Sequence, residues 1–315
     1  MKAQNSKYII LLCLCLFVNI SAFSQKKSIS ITIDDVPNTR KYQKENFEPT
    51  LLNVLDSLKI PFTIFINEAK IFNNEFKKEN KELLELWIQN QNSIVGNHSY
   101  SHVRYSAVGY DKFVQDIEEG EKLTKEYASN YNKEVKYFRF PFNDMGADSS
   151  QHVEIRAYLK SKDYVIAPFT VESSDWMFNY VYLHYLNNGK IDKAAAIGEQ
   201  YVEKTLELLS FYESMANSIY KRPVKHIYLC HDNAINTDYI GEIITRVEKE
   251  NYEIVSFEES LTDTIYAQED IYYKKWGISW LYRWMETQDE RIKWMKQEPN
   301  LSEINQLYKE IVENN

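Results

Sequence analysis

Cysteine is nearly missing from this chain, with three in 315 residues. Two of them, Cys13 and Cys15, sit in an apolar N-terminal run. If that run is removed on export, only Cys230 remains, so no internal disulfide can form and packing must hold the fold together. Cys230, within "IYLCH", reads as a buried strand residue and not as a nucleophile. Glycine is also scarce, at 8 residues. No linker rich in Pro, Gly or Ser, no short repeat and no low-complexity tract is visible. A basic patch is lacking as well. The net charge is −9, falling to near −11 once Lys2 and Lys7 leave with the N-terminus. That balance excludes nucleic acid as a partner class and gives nothing for anionic lipid to hold. What is abundant is tyrosine, 24 residues, which suits a sugar-binding surface or a helix-rich core with polar tips.

The N-terminus has the layout of an export signal. Lys2 and Lys7 precede the apolar run Tyr8 to Val18, and Ala22-Phe23-Ser24 is a small-x-small cleavage site. The run is short for a membrane span, so a retained anchor is the weaker alternative. A lipoprotein is disfavoured because the cysteines lie inside the run. The expected organisation is a signal peptide at 1–24, a catalytic domain at 25–261 and a helical C-terminal extension at 262–315. The mature chain is expected to be exported, periplasmic or secreted, with no stable membrane span.

The body alternates strand and helix signals. "SISITID", "PFTIFIN", "SIVGNH", "VKYFRFP", "DYVIAPF", "KHIYLCH" and "YEIVSF" read as strands. Between most of them lie helical patterns, such as Phe47, Leu51, Leu55 and Leu58, or Phe113, Ile117, Gly120 and Tyr127. Such alternation implies a parallel sheet in an α/β fold. Residues 191–220 form a long helical insertion, and the tail is mostly helical. In the tail Trp276, Trp280 and Trp284 are four apart, which predicts one packed stripe on a helix.

The polar residues gather at strand ends, where (β/α) barrels carry their chemistry. "SIVGNHSYSH" ends in His98 and His102. Their i, i+4 spacing would place both on one helix face. "ITIDDVP" ends the first strand in Asp34 and Asp35. An isolated Asp pair there is ordinarily a turn or a helix cap. One carboxylate with two histidines, however, makes a facial triad suited to a divalent transition metal, and the second carboxylate is then free to act as a base.

Five motifs stand in order: "TIDDVP", "HSYSH", "RFPF", "SSDW" and "LCH". Together they resemble the polysaccharide deacetylases of the NodB-homology type, carbohydrate esterase family 4, over roughly Ser28 to Phe257. The resemblance implies an irregular (β/α) barrel. It implies Asp35, His98 and His102 as metal ligands, with zinc first and cobalt, nickel or manganese as alternatives. It implies Asp34 as general base, Arg139 as its partner, and a backbone N–H near Phe142 for the oxyanion. His231 would be the acid, Asp175 its charged partner, and Trp176 the wall of the acetyl pocket. The implied reaction is hydrolysis of N-acetyl groups from an amino-sugar polymer or oligomer, releasing acetate. An O-acetyl esterase, a small-amide hydrolase and a non-catalytic carbohydrate binder are the competing functions.

The chain departs from the pattern in three places. Val36 follows Asp35 where glycine is usual, Phe142 stands where tyrosine is common, and Glu172 stands where an aspartate often opens the fourth motif. His152, His184 and His226 match no motif and read as structural or exposed.

Overall fold

The computed structural model describes residues 26–314; the expected signal peptide lies outside the described residues. Eight strands form one sheet, every pairing parallel: β1 (Lys27–Val36), β2 (Phe62–Ile66), β3 (Ser93–Asn97), β4 (Val135–Phe138), β5 (Val165–Ile166), β6 (Val171–Glu172), β7 (Lys225–His231) and β8 (Tyr252–Ile254). The order is β5-β4-β3-β2-β1-β7-β6, with β8 also on β1. The sheet curls into an irregular (β/α) barrel. Its two edge strands are joined by the short segment 167–170. There Ala167 N–H donates to Phe138 O on β4 (2.8 Å), and Thr170 N–H donates to Ile227 O on β7 (2.9 Å).

Period-two alternation explains why β1 is a strand and which way it faces. Ile29, Ile31 and Ile33 join the main core, beneath the helices. The intervening Ser30, Thr32 and Asp34 are buried on the other face. A smaller cluster of Phe65, Tyr137, Phe169, Ile227, Leu229 and Phe257 is buried separately from that outer core.

Three readings of local structure are corrected. The pattern from Phe113 to Tyr127 is two helices, Tyr110–Glu119 and Lys122–Asn130, broken at Gly120. A Cβ on Gly120 would sit 2.4 Å from the Tyr100 nitrogen, so the break marks a close approach of the loop after β3. The residues Trp276, Trp280 and Trp284 do not share one helix. Trp280 opens the four-residue helix Trp280–Arg283, Trp284 caps it, and Trp276 lies before it, largely exposed. The span 191–220 is a helix, Ile191–Tyr220, and together with Asp175–Asn187 it forms the crossover from β6 to β7.

The tail is woven into the rest. Leu281, Tyr282, Trp284, Met285, Ile304 and Ile311 belong to the main core. Trp280 N–H donates to Phe169 O (3.0 Å) and Ser279 Oγ to Thr170 O (2.8 Å). Asp270 accepts from Arg283 (2.6 Å) and also pairs with Arg156.

Candidate active site

At the C-terminal end of the strands lies a cavity of about 610 Å³ lined by Asp34, Asp35, His98, His102, Phe142, Glu172, Trp176 and His231 among others. Two neighbouring carboxylates reach it because β1 breaks register. Its pairing with β2 shifts between Ile33 and Val36. Asp35 itself adopts φ 67°, the left-handed region that Asp tolerates better than branched residues. The strained position therefore falls on Asp35 and not on Val36.

His98 and His102 do meet, but not on a helix. The loop that carries them turns through Ser99 (φ 64°) and His102 (φ 59°), bringing the rings to 5.0 Å between centroids. Asp116 anchors this loop. Its carbonyl accepts from Tyr100 N–H (2.9 Å), and its carboxylate accepts from Ser101 N–H (3.1 Å) and Ser101 Oγ (2.5 Å). Asn67 Nδ2 donates to His98 O (2.5 Å), tying the same loop to the end of β2. Phe142, Asn143 and Ser174 also have positive φ. Such conformations cost on the order of 1–2 kcal/mol each and gather where a site over-determines the backbone.

One ligand atom each from Asp35, His98 and His102 lies within 4.8 Å of the others. His98 Nδ1 donates to Arg139 O (2.7 Å), which fixes the tautomer and leaves Nε2 with its lone pair toward Asp34 and the cavity. Burial lowers both histidines to about 4, so both are neutral at pH 7. Burial opposes ionisation of Asp35, but the Lys70 ammonium, with the protonated His231 beside it, overcomes this and holds the carboxyl well below its usual range. Lys70 Nζ lies 3.1 Å from Asp35 Oδ1 and donates to Asp35 O (2.7 Å). A neutral, pre-aimed imidazole pair beside an ionised carboxylate is the donor set that a divalent cation takes, so these residues fit one.

Asp34 is buried and accepts from Arg139 (2.9 Å). Arg139 is fully buried too; it donates to Thr32 Oγ1 (2.6 Å) and Pro168 O (2.9 Å) and stacks 4.2 Å over Phe65. Burial pushes the Asp34 carboxyl above its ordinary value, with Arg139 and His231 pulling against it. That raises its basicity.

Across the β1–β7 pairing, Asp34 is in register with His231. His231 Nδ1 lies 2.6 Å from Asp175 Oδ1. Asp175 Oδ2 takes three more donors: His231 N–H (2.8 Å), Asn233 Nδ2 (2.8 Å) and Asn236 Nδ2 (2.6 Å). Burial alone would lower His231, but Asp175 outweighs it and the imidazole is raised to about 10. Glu172, also in the cavity, is pushed by burial and by Asp175 up to about 7.

All nine residues read from the motifs are thus brought together around one end of the barrel. Several others were not read from the sequence. Lys70 follows β2 with no motif around it. Asp232 accepts from Asn38 N–H (2.7 Å) and pins the loop after β1 to β7. Asn233 and Asn236 lie only two and five residues past His231, and their place after a strand-end histidine is the signal that could have found them. Gly277 comes from the tail. A Cβ there would lie 2.3 Å from Phe142 O, so the tail backbone presses directly on the Phe142–Asn143 loop.

Known proteins resemble this chain in part of its sequence and in its fold. A family model described as polysaccharide deacetylase matches residues 23–167. That segment holds Asp34, Asp35, His98, His102, Arg139 and Phe142 and stops short of Asp175, Trp176 and His231. The peptidoglycan-N-acetylglucosamine deacetylase of Bacillus cereus is 23% identical over 153 residues, covering 48% of this chain and 47% of that protein. The match therefore spans about half the length of that relative. Among solved structures, a CE4-family pseudoenzyme from Bacillus anthracis aligns with TM-score 0.51 and 18% identity over 75% of this chain and 66% of that one. A mutant CE4-family pseudoenzyme with restored activity aligns with TM-score 0.50 and 20% identity, over 75% of this chain and 68% of the other. These likenesses show the same barrel.

Proposed function

We propose that this chain, which matches the polysaccharide deacetylase family model over residues 23–167, is a metal-dependent hydrolase removing N-acetyl groups from an amino-sugar polysaccharide or oligosaccharide. The observation that carries this reading is the cluster of Asp35, His98 and His102, with Asp34 and His231 paired in register beside it on β1 and β7. Asp35, His98 and His102 would hold a divalent cation, zinc first. When bound, such a cation polarises an acyl oxygen and makes a nearby water more acidic.

The remaining roles fall to the chain itself. Asp34, its basicity raised by burial, takes the proton of the attacking water, and Arg139 fixes the orientation of its carboxylate. The backbone N–H of Phe142, in a loop that Gly277 abuts, donates to the oxyanion. His231, held protonated by Asp175, gives its proton to the departing sugar nitrogen as the C–N bond breaks. Trp176, half exposed at the cavity, walls the acetyl group. The complete set of base, acid and ligands favours catalysis over carbohydrate binding alone.

We place the protein outside the cytoplasm, on the export signal expected at 1–24. Among the described residues, no helix is long and apolar enough to cross a membrane. The test is elemental analysis of the purified protein joined to acetate release from N-acetylglucosamine oligomers and from acetylated xylan. About one divalent metal per chain with release from the amide substrate is expected. Release from xylan alone would make it an esterase, and binding of either without release would make it a binder.

A further inference from the structure

The C-terminal helix brings a ring to the edge of the catalytic cavity. Trp176 lines that cavity and is 47% exposed; Tyr180, one turn further along the helix Asp175–Asn187, is 39% exposed. Positions i and i+4 share a helix face, so the two rings stand in one line leading away from the cavity. The helix Ser302–Glu313 packs against this one and sets Tyr308 between them. Its ring centroid lies 5.3 Å from Trp176 at 85° and 5.1 Å from Tyr180 at 73°. Three aromatic rings therefore run in edge-to-face contact from the catalytic cavity outward, two of them about half open to water.

Large apolar rings left in solvent forgo burial energy, and a contiguous exposed group of them beside a cavity marks a binding surface. The π faces are electron-rich and the rings are stiff, so they lose little entropy on binding. The C–H faces of a pyranose ring are their natural complement. We propose that Trp176, Tyr308 and Tyr180 form a stacking subsite for a sugar ring next to the one being deacetylated. The preferred substrate is then a chain of several sugars, and the C-terminal extension helps select it. The proposal rests on the deacetylase reading for what enters the cavity.

The test compares wild type with Tyr308→Ala, Tyr308→Phe and Tyr180→Ala on N-acetylglucosamine dimers and hexamers, with melting temperatures alongside. Binding of a fully deacetylated hexamer, which cannot turn over, is measured by calorimetry. The wild type should have a lower KM for the hexamer than for the dimer. Tyr308→Ala and Tyr180→Ala should raise the hexamer KM relative to the dimer KM by roughly three- to ten-fold, and weaken hexamer binding to match. Tyr308→Phe should keep wild-type behaviour. Tyr180 is the more exposed partner of the Tyr180–Tyr308 contact, so Tyr180→Ala disturbs the packing of the tail less than Tyr308→Ala does. Loss of hexamer binding in a protein that releases no acetate would sink the deacetylase reading and leave the subsite standing. Acetate release with the same KM at both lengths, or Ala variants that change only the melting temperature, would overturn the subsite.

Discussion

Replacing Asp175 with asparagine changes one charge and almost no volume, and its consequence can be worked out atom by atom. Asp175 Oδ2 takes three N–H donors while Oδ1 faces His231 Nδ1 alone. An asparagine satisfies those three donors only with its carbonyl at the Oδ2 position. Its NH₂ then occupies the Oδ1 position and donates to Nδ1, which must give up its proton to accept. Burial, the largest influence on His231, acts in the same direction. The imidazole should therefore fall from about 10 to its ordinary value or lower. The sign follows: a group raised by its partner stays protonated until the pH climbs through the raised value, and losing the partner brings that loss to lower pH. At pH 8 the protonated fraction should drop from about 99% to about 3%, roughly a 30-fold loss of turnover if His231 is the acid. At pH 6 the loss should be at least about ten-fold smaller than at pH 8, because a lowered imidazole regains its proton as the pH falls. The assay is kcat for acetate release from pH 5.5 to 10, with metal content measured on the same samples. An equal loss at pH 6 and pH 8, or an alkaline limb that does not move, would refute this account of His231.

The two neighbouring aspartates should fail differently. Asp35→Asn should lose bound metal and activity together, whereas Asp34→Asn should keep its metal and lose roughly 10²-fold in turnover; a metal-free Asp34→Asn beside a metal-replete, inactive Asp35→Asn would reverse the roles. Gly120→Ala tests whether the histidine loop depends on its neighbour. A Cβ 2.4 Å from the Tyr100 nitrogen and 2.5 Å from the Ser99 carbonyl carbon must push the loop outward. Metal affinity, read by competition with a chelator, should weaken about ten-fold or more, as for other supports of metal ligands; unchanged affinity would show that the loop holds its shape without that contact.

The residues easiest to read in the sequence were those whose chemistry is tied to a strand end. The alternation of β1, β2, β3 and β7 is visible because one face must meet the helices and the other the barrel interior, and the C-terminal ends of β1, β3 and β7 deliver Asp34, Asp35, His98 and His231. The two-residue strands β5 and β6 carry too few positions for any period to show, so "DYVIAPF" looks like a full strand and β6 looks like none. The histidine pair was found for a reason that proved incorrect. Spacing of four suggested a helix, while the actual approach depends on left-handed turns at Ser99 and His102 and on a helix break at Gly120. Spacing of four also misled for the tryptophans, where the chain before Trp280 is not helical and, of the three rings, Trp280 and Trp284 pack together, at 6.0 Å.

What was not legible is what arrives from far along the chain. Lys70 reaches Asp35 across 35 positions, Asp232 reaches Asn38 across 194, and Gly277 touches a loop more than a hundred residues earlier. None of these carries a local pattern, because each acts through a backbone contact or a single charge whose partner is set by the curl of the sheet. Gly120 and Gly277 both lie where a Cβ would strike the backbone of a catalytic loop. The two glycines therefore connect the part of the site written in motifs to the part supplied by the surrounding fold.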